Sequence, residues 1–154
     1  MEHVKYIWTD ADDPDFKRFY LITEEYYNSL VGGQCNRNGF VPYNLSESIN
    51  DVLIAYVNGS AVACAGLKRY SDTDSEIKRV WVEPEYRREH IASEMMDIIE
   101  SKAAQQGFAR TILQTREIMS EAVRLYKKRG YSFIDNYPPY DRLEGAVCMA
   151  KDLI

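Results

Sequence analysis

Little in this sequence suggests a stapled, secreted or membrane-spanning chain. The three cysteines, Cys35, Cys64 and Cys148, are odd in number, far apart, and lack a CxxC motif or a nearby histidine pair. Neither a disulfide framework nor a zinc site is indicated, and no metal is expected. No run of about 18 apolar residues occurs, as a spanning helix requires. Met1-Glu-His-Val-Lys lacks the basic-then-apolar run of a signal peptide. The expected location is the reducing cytoplasm, with no membrane partner. Blocks of Lys and Arg are also missing: 19 basic against 24 acidic residues give a net charge of −5 and a pI near 5.1. Phosphate neutralisation needs clustered cations, so a nucleic-acid partner is not expected, and the overall field favours cations. Glycine and proline are sparse, at 8 and 5 of 154 residues, whereas 45% of the chain is hydrophobic. That is the composition of a folded chain, not a disordered or fibrous one, and the length suits one domain over residues 1–154.

Tyrosine is what the chain has in quantity: 12 Tyr against 5 Phe and 2 Trp. An apolar ring with a hydroxyl suits either a polar pocket or the edge of a core. Val4 to Trp8 reads as a first strand. Asp13-Pro14 reads as a helix start, because Phe16, Phe19, Tyr20, Thr23, Tyr27 and Leu30 then share one face up to Gly32-Gly33. Residues 34–50 are irregular, with room for one short helix. Residues 51–57 and 60–67 are strand-prone around Asn58-Gly59, a hairpin signal because both turn positions need positive φ. A strand at 76–82 ends before Pro84. A helix at 91–106 follows, stopped by Gly107, and then a strand at 110–114. Ser120 reads as the cap of a helix at 121–129 that ends in Lys127, Lys128 and Arg129 before Gly130, and strands at 131–134 and 146–151 complete an α/β (α+β) order.

The most informative segment is Val80-Trp-Val-Glu-Pro-Glu-Tyr-Arg-Arg-Glu-His-Ile-Ala92, where a strand gives way to a helix. Free N–H groups and the dipole at a helix start attract anions. Arg87 and Arg88 stand just ahead, so a diphosphate would find main-chain geometry and side-chain charge together. Taken by itself the pattern is weak, since most strand-to-helix turns bind nothing.

Here the sequence resembles the GNAT-type N-acetyltransferase superfamily, whose acetyl-CoA loop reads Gln/Arg-x-x-Gly-x-Gly/Ala. The matching stretch is Arg87-Arg-Glu-His-Ile-Ala92, preceded by Glu76-Ile-Lys-Arg-Val-Trp-Val82, Pro84 and Tyr86. Downstream, Ala122-Val-Arg-Leu-Tyr126 and Gly130-Tyr-Ser-Phe133 are similar to the family's A-x-x-L-Y helix and the strand after it. The order of elements extends the resemblance over nearly the whole chain. It implies a central, mixed, mostly antiparallel twisted sheet of six to seven strands flanked by about four helices. It also implies an acyltransferase that moves the acetyl group of acetyl-CoA to a primary amine of a small molecule, by direct attack in a ternary complex. A protein N-terminal or lysine acetyltransferase and a non-catalytic acyl-CoA-sensing module share the same fold. A homodimer is compatible with the family.

Carried over residue by residue, the resemblance assigns cofactor binding to Val80, Trp81, Val82, Arg87, Arg88, Glu89, His90, Ile91 and Ala92. His90 departs from the pattern by standing where the first glycine is usual. Glycine there leaves φ unrestricted; a histidine narrows or tilts the loop, places an imidazole beside the diphosphate, or faces solvent. Tyr126 matches the tyrosine that protonates or hydrogen-bonds the departing sulfur, and a phenol of pKa about 10 is a suitable acid at neutral pH. Glu76 is the candidate acceptor of the amine's proton. For the amine itself the candidates are Tyr26, Tyr27, Tyr137 and Tyr140, with the acidic stretch Asp10, Asp12 and Asp13, and polar contacts from Gln114, Thr115, Arg116 and Met119.

Overall fold

A computed structural model of the chain describes residues 3–31 and 49–153. Strand β1 (Val4–Thr9) leads through an Asp-rich turn to helix α1 (Pro14–Val31). Asp13 Oδ1 accepts the backbone N–H of Asp15 at 2.8 Å and of Phe16 at 3.3 Å. Donors that would otherwise be orphaned at the helix start are thereby satisfied, while Pro14 occupies the first helical position. Strands β2 (Asp51–Val57) and β3 (Ser60–Arg69) form the expected hairpin, with φ of 51° at Asn58 and 80° at Gly59. β4 (Asp74–Val82) starts two residues earlier than the apolar pattern suggests. A short 3-10 turn at Pro84–Tyr86 precedes α2 (Ile91–Gln105), β5 (Arg110–Arg116), α3 (Ser120–Lys128), β6 (Ser132–Ile134) and β7 (Ala146–Asp152).

The seven strands form one sheet in the order β1-β2-β3-β4-β5-β7-β6, in which only β4 and β5 run parallel. On one face, Ile91, Met95, Met96, Ile99 and Ala103 of α2 pack against Leu53, Ala55, Leu67 and Ile77. On the other, Phe16 and Phe19 of α1 pack against Val52, Ile54, Cys64 and Trp81. Each such large side chain stabilises the fold by about 1.5–3 kcal/mol when fully buried, so these two layers hold the sheet.

The described residues contain three α-helices, and the short helix expected within 34–50 lies almost wholly outside them. Ser120 corrects the sequence reading. It is the first residue of α3, Met119 occupies the cap position, and no side chain caps that end.

Two features of β4 shape the site. Parallel pairing with β5 stops at Ile77 opposite Leu113, so beyond that point the two strands part and the β5-facing edge of β4 has no ladder partner among the described residues. Arg79 has φ of 59°, and the register against β3 slips between Cys64 and Gly66. This is a bulge, which puts Lys78 and Arg79 on the same side of the sheet. Gly66 faces it across the ladder, where an added Cβ would stand 2.8 Å from Ile49 and 3.2 Å from the carbonyl of Lys78.

Candidate active site

The turn before α2 is wound tightly. Arg88 and His90 both have positive φ, 65° and 66°. His90 thus takes the left-handed conformation that glycine adopts freely, at a cost on the order of 1 kcal/mol. Its imidazole is exposed, so the loop keeps its path without the glycine. His90 is also the cap residue of α2 and makes no side-chain capping bond. The first turn-closing bond runs from the Glu94 N–H to the His90 carbonyl at 3.0 Å. The N–H groups of Ile91, Ala92 and Ser93 precede it and have no carbonyl to meet within the helix.

These residues border a cleft of about 990 Å³, walled by Val80, Trp81 and Val82 on the β4 side and by Ile118 to Ala122, Leu125 and Tyr126 on the α3 side. Arg87 braces the loop: its Nε donates to the Val82 carbonyl at 2.8 Å, and its guanidinium lies 4.8 Å from the centre of the Trp81 ring. Arg88 lines the same cleft and is exposed; Glu89 does not line it. Trp81 Nε1 is buried without a hydrogen-bond partner among the described residues, a donor beside the cleft. An acyl-CoA fits this set by chemistry, because β4 offers an unpaired strand edge to an extended amide-bearing arm and the start of α2 offers donors to a diphosphate.

A second, smaller cavity of about 110 Å³ lies where β4 and β5 part, and Val80, Met119, Ala122 and Tyr126 belong to the walls of both. Glu76 lines the small cavity and is only 3% exposed. Its Oε2 accepts the Tyr137 hydroxyl at 2.7 Å, and Lys78 Nζ stands 3.8 Å from its Oε1. Lys78 Nζ also donates to Tyr140 Oη at 2.7 Å. Burial lowers the Lys78 pKa, opposed by the charge of Glu76. Burial first, and then the Glu76 charge, push the Tyr137 and Tyr140 hydroxyls well above the usual phenol range, so both remain protonated. Arg79, on the bulge, pairs with Glu24 of α1 at 2.6 Å and donates to Thr23 at 3.2 Å.

Tyr126, on the inner face of α3, is 7% exposed, and its ring centre is 5.8 Å from that of Tyr131. The tyrosines named from sequence have separate places. Tyr140 lines the small cavity, Tyr137 stands behind it on Glu76, and Tyr26 lines the large cleft with its ring edge on Trp81 at 5.2 Å. The side chain of Tyr27 lies outside the described residues. Asp10, Asp12 and Asp13 line neither cavity; Asp13 is spent on the helix cap and Asp10 accepts the Asp12 N–H. Sequence reasoning missed Lys78 and Arg79 as walls of the small cavity. Strand alternation places Lys78 beside Glu76, but nothing in the sequence announces the bulge that adds Arg79.

A parted parallel strand pair, a helix start with unpaired backbone donors, and a small cavity that holds a buried carboxylate and opens on the large cleft beside a tyrosine are the features an acyl-CoA-using transferase needs. The model of the Acetyltransferase (GNAT) family matches residues 5–131, so the chain belongs to that family and is an acyltransferase enzyme. An IAA acetyltransferase from Azospirillum brasilense is 29% identical over 104 residues, covering 66% of this chain and 67% of that protein. Among solved structures, a GNAT-family acetyltransferase from Staphylococcus aureus superposes with a TM-score of 0.75 at 18% identity, over 99% of this chain and 100% of its own. One from Elizabethkingia anophelis with acetyl-CoA bound gives 0.72 at 16% identity, over 99% of each chain. At these identities the structures establish the fold alone. Among the described residues, no helix is long and apolar enough to cross a membrane.

Proposed function

We propose that the protein transfers the acetyl group of acetyl-CoA to a primary amine of a small molecule by direct attack in a ternary complex, and that residues 1–154 act as one such domain. The observation that carries this reading is the junction of the two cavities at Val80, Met119, Ala122 and Tyr126. A thioester entering from the large cleft would meet an amine waiting in the small one only there. Holding both reactants at one point converts a bimolecular encounter into an effectively unimolecular step.

Each residue then has a defined task. The N–H groups of Ile91, Ala92 and Ser93, with Arg88, hold the diphosphate, and Arg87 keeps their loop docked on β4. Backbone groups from Val80 to Val82 hold the pantetheine arm, and one N–H there stabilises the carbonyl oxygen as charge develops on it. Glu76 takes the proton of the attacking ammonium, directly or through one water. As the new C–N bond forms and the C–S bond breaks, Tyr126 gives its proton to the departing sulfur, and the second proton shed by the nitrogen as it becomes an amide restores the phenol. The small volume beside Glu76 favours a small amine over a peptide segment. Widely spaced cysteines favour a cytoplasmic setting.

The test is thiol release from acetyl-CoA across a panel of amines, with Glu76→Gln as control. Amine-dependent release that falls at least a hundredfold in the variant supports the assignment. If CoA binds yet no amine accelerates release, the catalytic reading fails and a sensing module takes its place.

A further inference from the structure

We infer that Met119 sets the length of the acyl group this enzyme accepts and confines it to acetyl. The inference rests on the acetyl-transfer reading above and assigns the donor specificity of the same site. Acyl-CoA thioesters share the whole CoA portion, so only residues beside the thioester can tell one from another.

A thioester carbon is planar and carries three substituents. In that reading its sulfur leads back into the large cleft, and its oxygen faces the N–H groups of β4 between Val80 and Val82. The amine approaches from the side of Glu76, so the third substituent, the acyl tail, is left facing the start of α3. Among the described residues, four line both cavities: Val80 on β4, and Met119, Ala122 and Tyr126 at or within α3. Ala122 offers only a methyl group, and Tyr126 stands one turn further along, beside the departing sulfur. Met119 is the one that can close the space around the tail, because an unbranched thioether chain fills irregular gaps.

Met119 is also held in place. Its N–H donates to the Arg116 carbonyl at 2.9 Å and its carbonyl accepts the Val123 N–H at 3.1 Å, which fixes its backbone as the cap of α3. The hydroxyl of buried Thr115, near the end of β5, donates to its sulfur at 3.7 Å and ties the flexible side chain to a wall of the small cavity. A thioether is a weak acceptor, so this contact selects one rotamer more than it adds stability. The small cavity, about 110 Å³, must take the amine as well as the tail. A third acyl carbon competes for that space with both the amine and the Met119 side chain. One surplus methylene at a fitted site costs about 10–200-fold in kcat/KM.

The experiment measures kcat/KM for acetyl-, propionyl- and butyryl-CoA by thiol release, with the amine that the wild-type protein uses best, in wild type, Met119→Ala and Thr115→Val. Wild type should favour acetyl- over propionyl-CoA by roughly tenfold or more, and over butyryl-CoA by a larger factor. Met119→Ala should shrink the propionyl penalty several-fold. Thr115→Val keeps the branched shape and loses the donor, and should shrink the penalty less. Met119 makes no side-chain capping bond, so truncating it leaves α3 its backbone bonds; if Met119→Ala fails to fold, the ratio in Thr115→Val decides. Equal use of the three donors by wild type, or an unchanged ratio in Met119→Ala, overturns the inference and leaves acetyl transfer standing. A wider range of amines at an unchanged donor ratio assigns Met119 to the acceptor and overturns it too. An unchanged ratio in Thr115→Val alone overturns the role of the tether. No release from any acyl-CoA with any amine overturns the underlying catalytic reading and this inference with it.

Discussion

The Tyr137 hydroxyl donates a 2.7 Å hydrogen bond to Glu76 Oε2, joining the segment ahead of β7 to the buried middle of β4. A carboxylate with one oxygen so held, and the other 3.8 Å from Lys78 Nζ, is restricted in orientation beside the cavity it lines. Tyr137 is therefore a positioning residue for Glu76. Tyr137→Phe is expected to lower kcat roughly tenfold, equivalent to about 1.4 kcal/mol, with the KM for acetyl-CoA unchanged. Glu76→Gln is expected to cost on the order of 10²–10⁴ in turnover, as loss of a general base does. Steady-state kinetics of both variants and the double variant check the coupling. Additive effects would show that the two residues act apart.

Tyr126 stands in the wall shared by both cavities. Tyr126→Phe removes a proton donor and keeps the ring that packs near Tyr131. Turnover is expected to fall by roughly tenfold to a hundredfold, with CoA affinity by calorimetry almost unaltered. Lost affinity at unchanged turnover would assign the hydroxyl to binding.

His90 at φ of 66° gives a direct test of stored strain. His90→Gly relieves a left-handed conformation and is expected to stabilise the fold by up to about 1 kcal/mol, less whatever freedom glycine adds to the unfolded chain. Thermal unfolding measures it. CoA affinity should hold or rise, because the main-chain donors remain in place.

The fold was legible in the sequence wherever a local signal has a local cause. Asn58-Gly59 turns a hairpin because both residues accept positive φ, Asp13-Pro14 starts α1 through a side-chain cap, and Gly107 and Gly130 close α2 and α3 at φ of 91° and 97°. Long-range features were not legible. Glu76 reads as a strand-start glutamate, yet it lies buried because β4 begins at Asp74 and the segment before β7 folds Tyr137 onto it. Glu76-Ile-Lys-Arg-Val-Trp contains no glycine to reveal a bulge, so the turning of Arg79 toward α1 depends on pairing with β3 and Glu24. His90 misled in the opposite sense: the chain imposes the glycine conformation on a histidine. The acidic stretch at Asp10 to Asp13 suggested an ammonium site, whereas Asp13 caps the start of α1, Asp10 accepts the Asp12 N–H within the turn, and none of the three lines either cavity.

Alkaline pH should unfold the protein through its buried tyrosines. Burial raises the pKa of Tyr131, Tyr137 and Tyr140 above the unfolded value of about 10. Above that pH the unfolded chain loses protons that the native one keeps, so stability falls as pH rises. Lys78 acts in the opposite sense. Its lowered pKa means that the cost of burying it is relieved as pH approaches the unfolded lysine value, about 10.4, and beyond that it no longer offsets the tyrosines. Denaturant titrations from neutral pH to pH 11 should show a net decline above about pH 10.5, and Tyr137→Phe should make the decline shallower. A flat profile would mean that these hydroxyls ionise in the native state.

Calorimetric titration of CoA into the protein and into Ala92→Asp tests most directly whether the start of α2 holds the diphosphate. An acidic residue in the first turn favours the helix itself, so the variant should fold, while its carboxylate would stand where the diphosphate must bind. One CoA per chain, with affinity reduced at least a hundredfold in Ala92→Asp, is the expected result. No binding by the folded wild-type protein, or equal affinity in the two proteins, would contradict it.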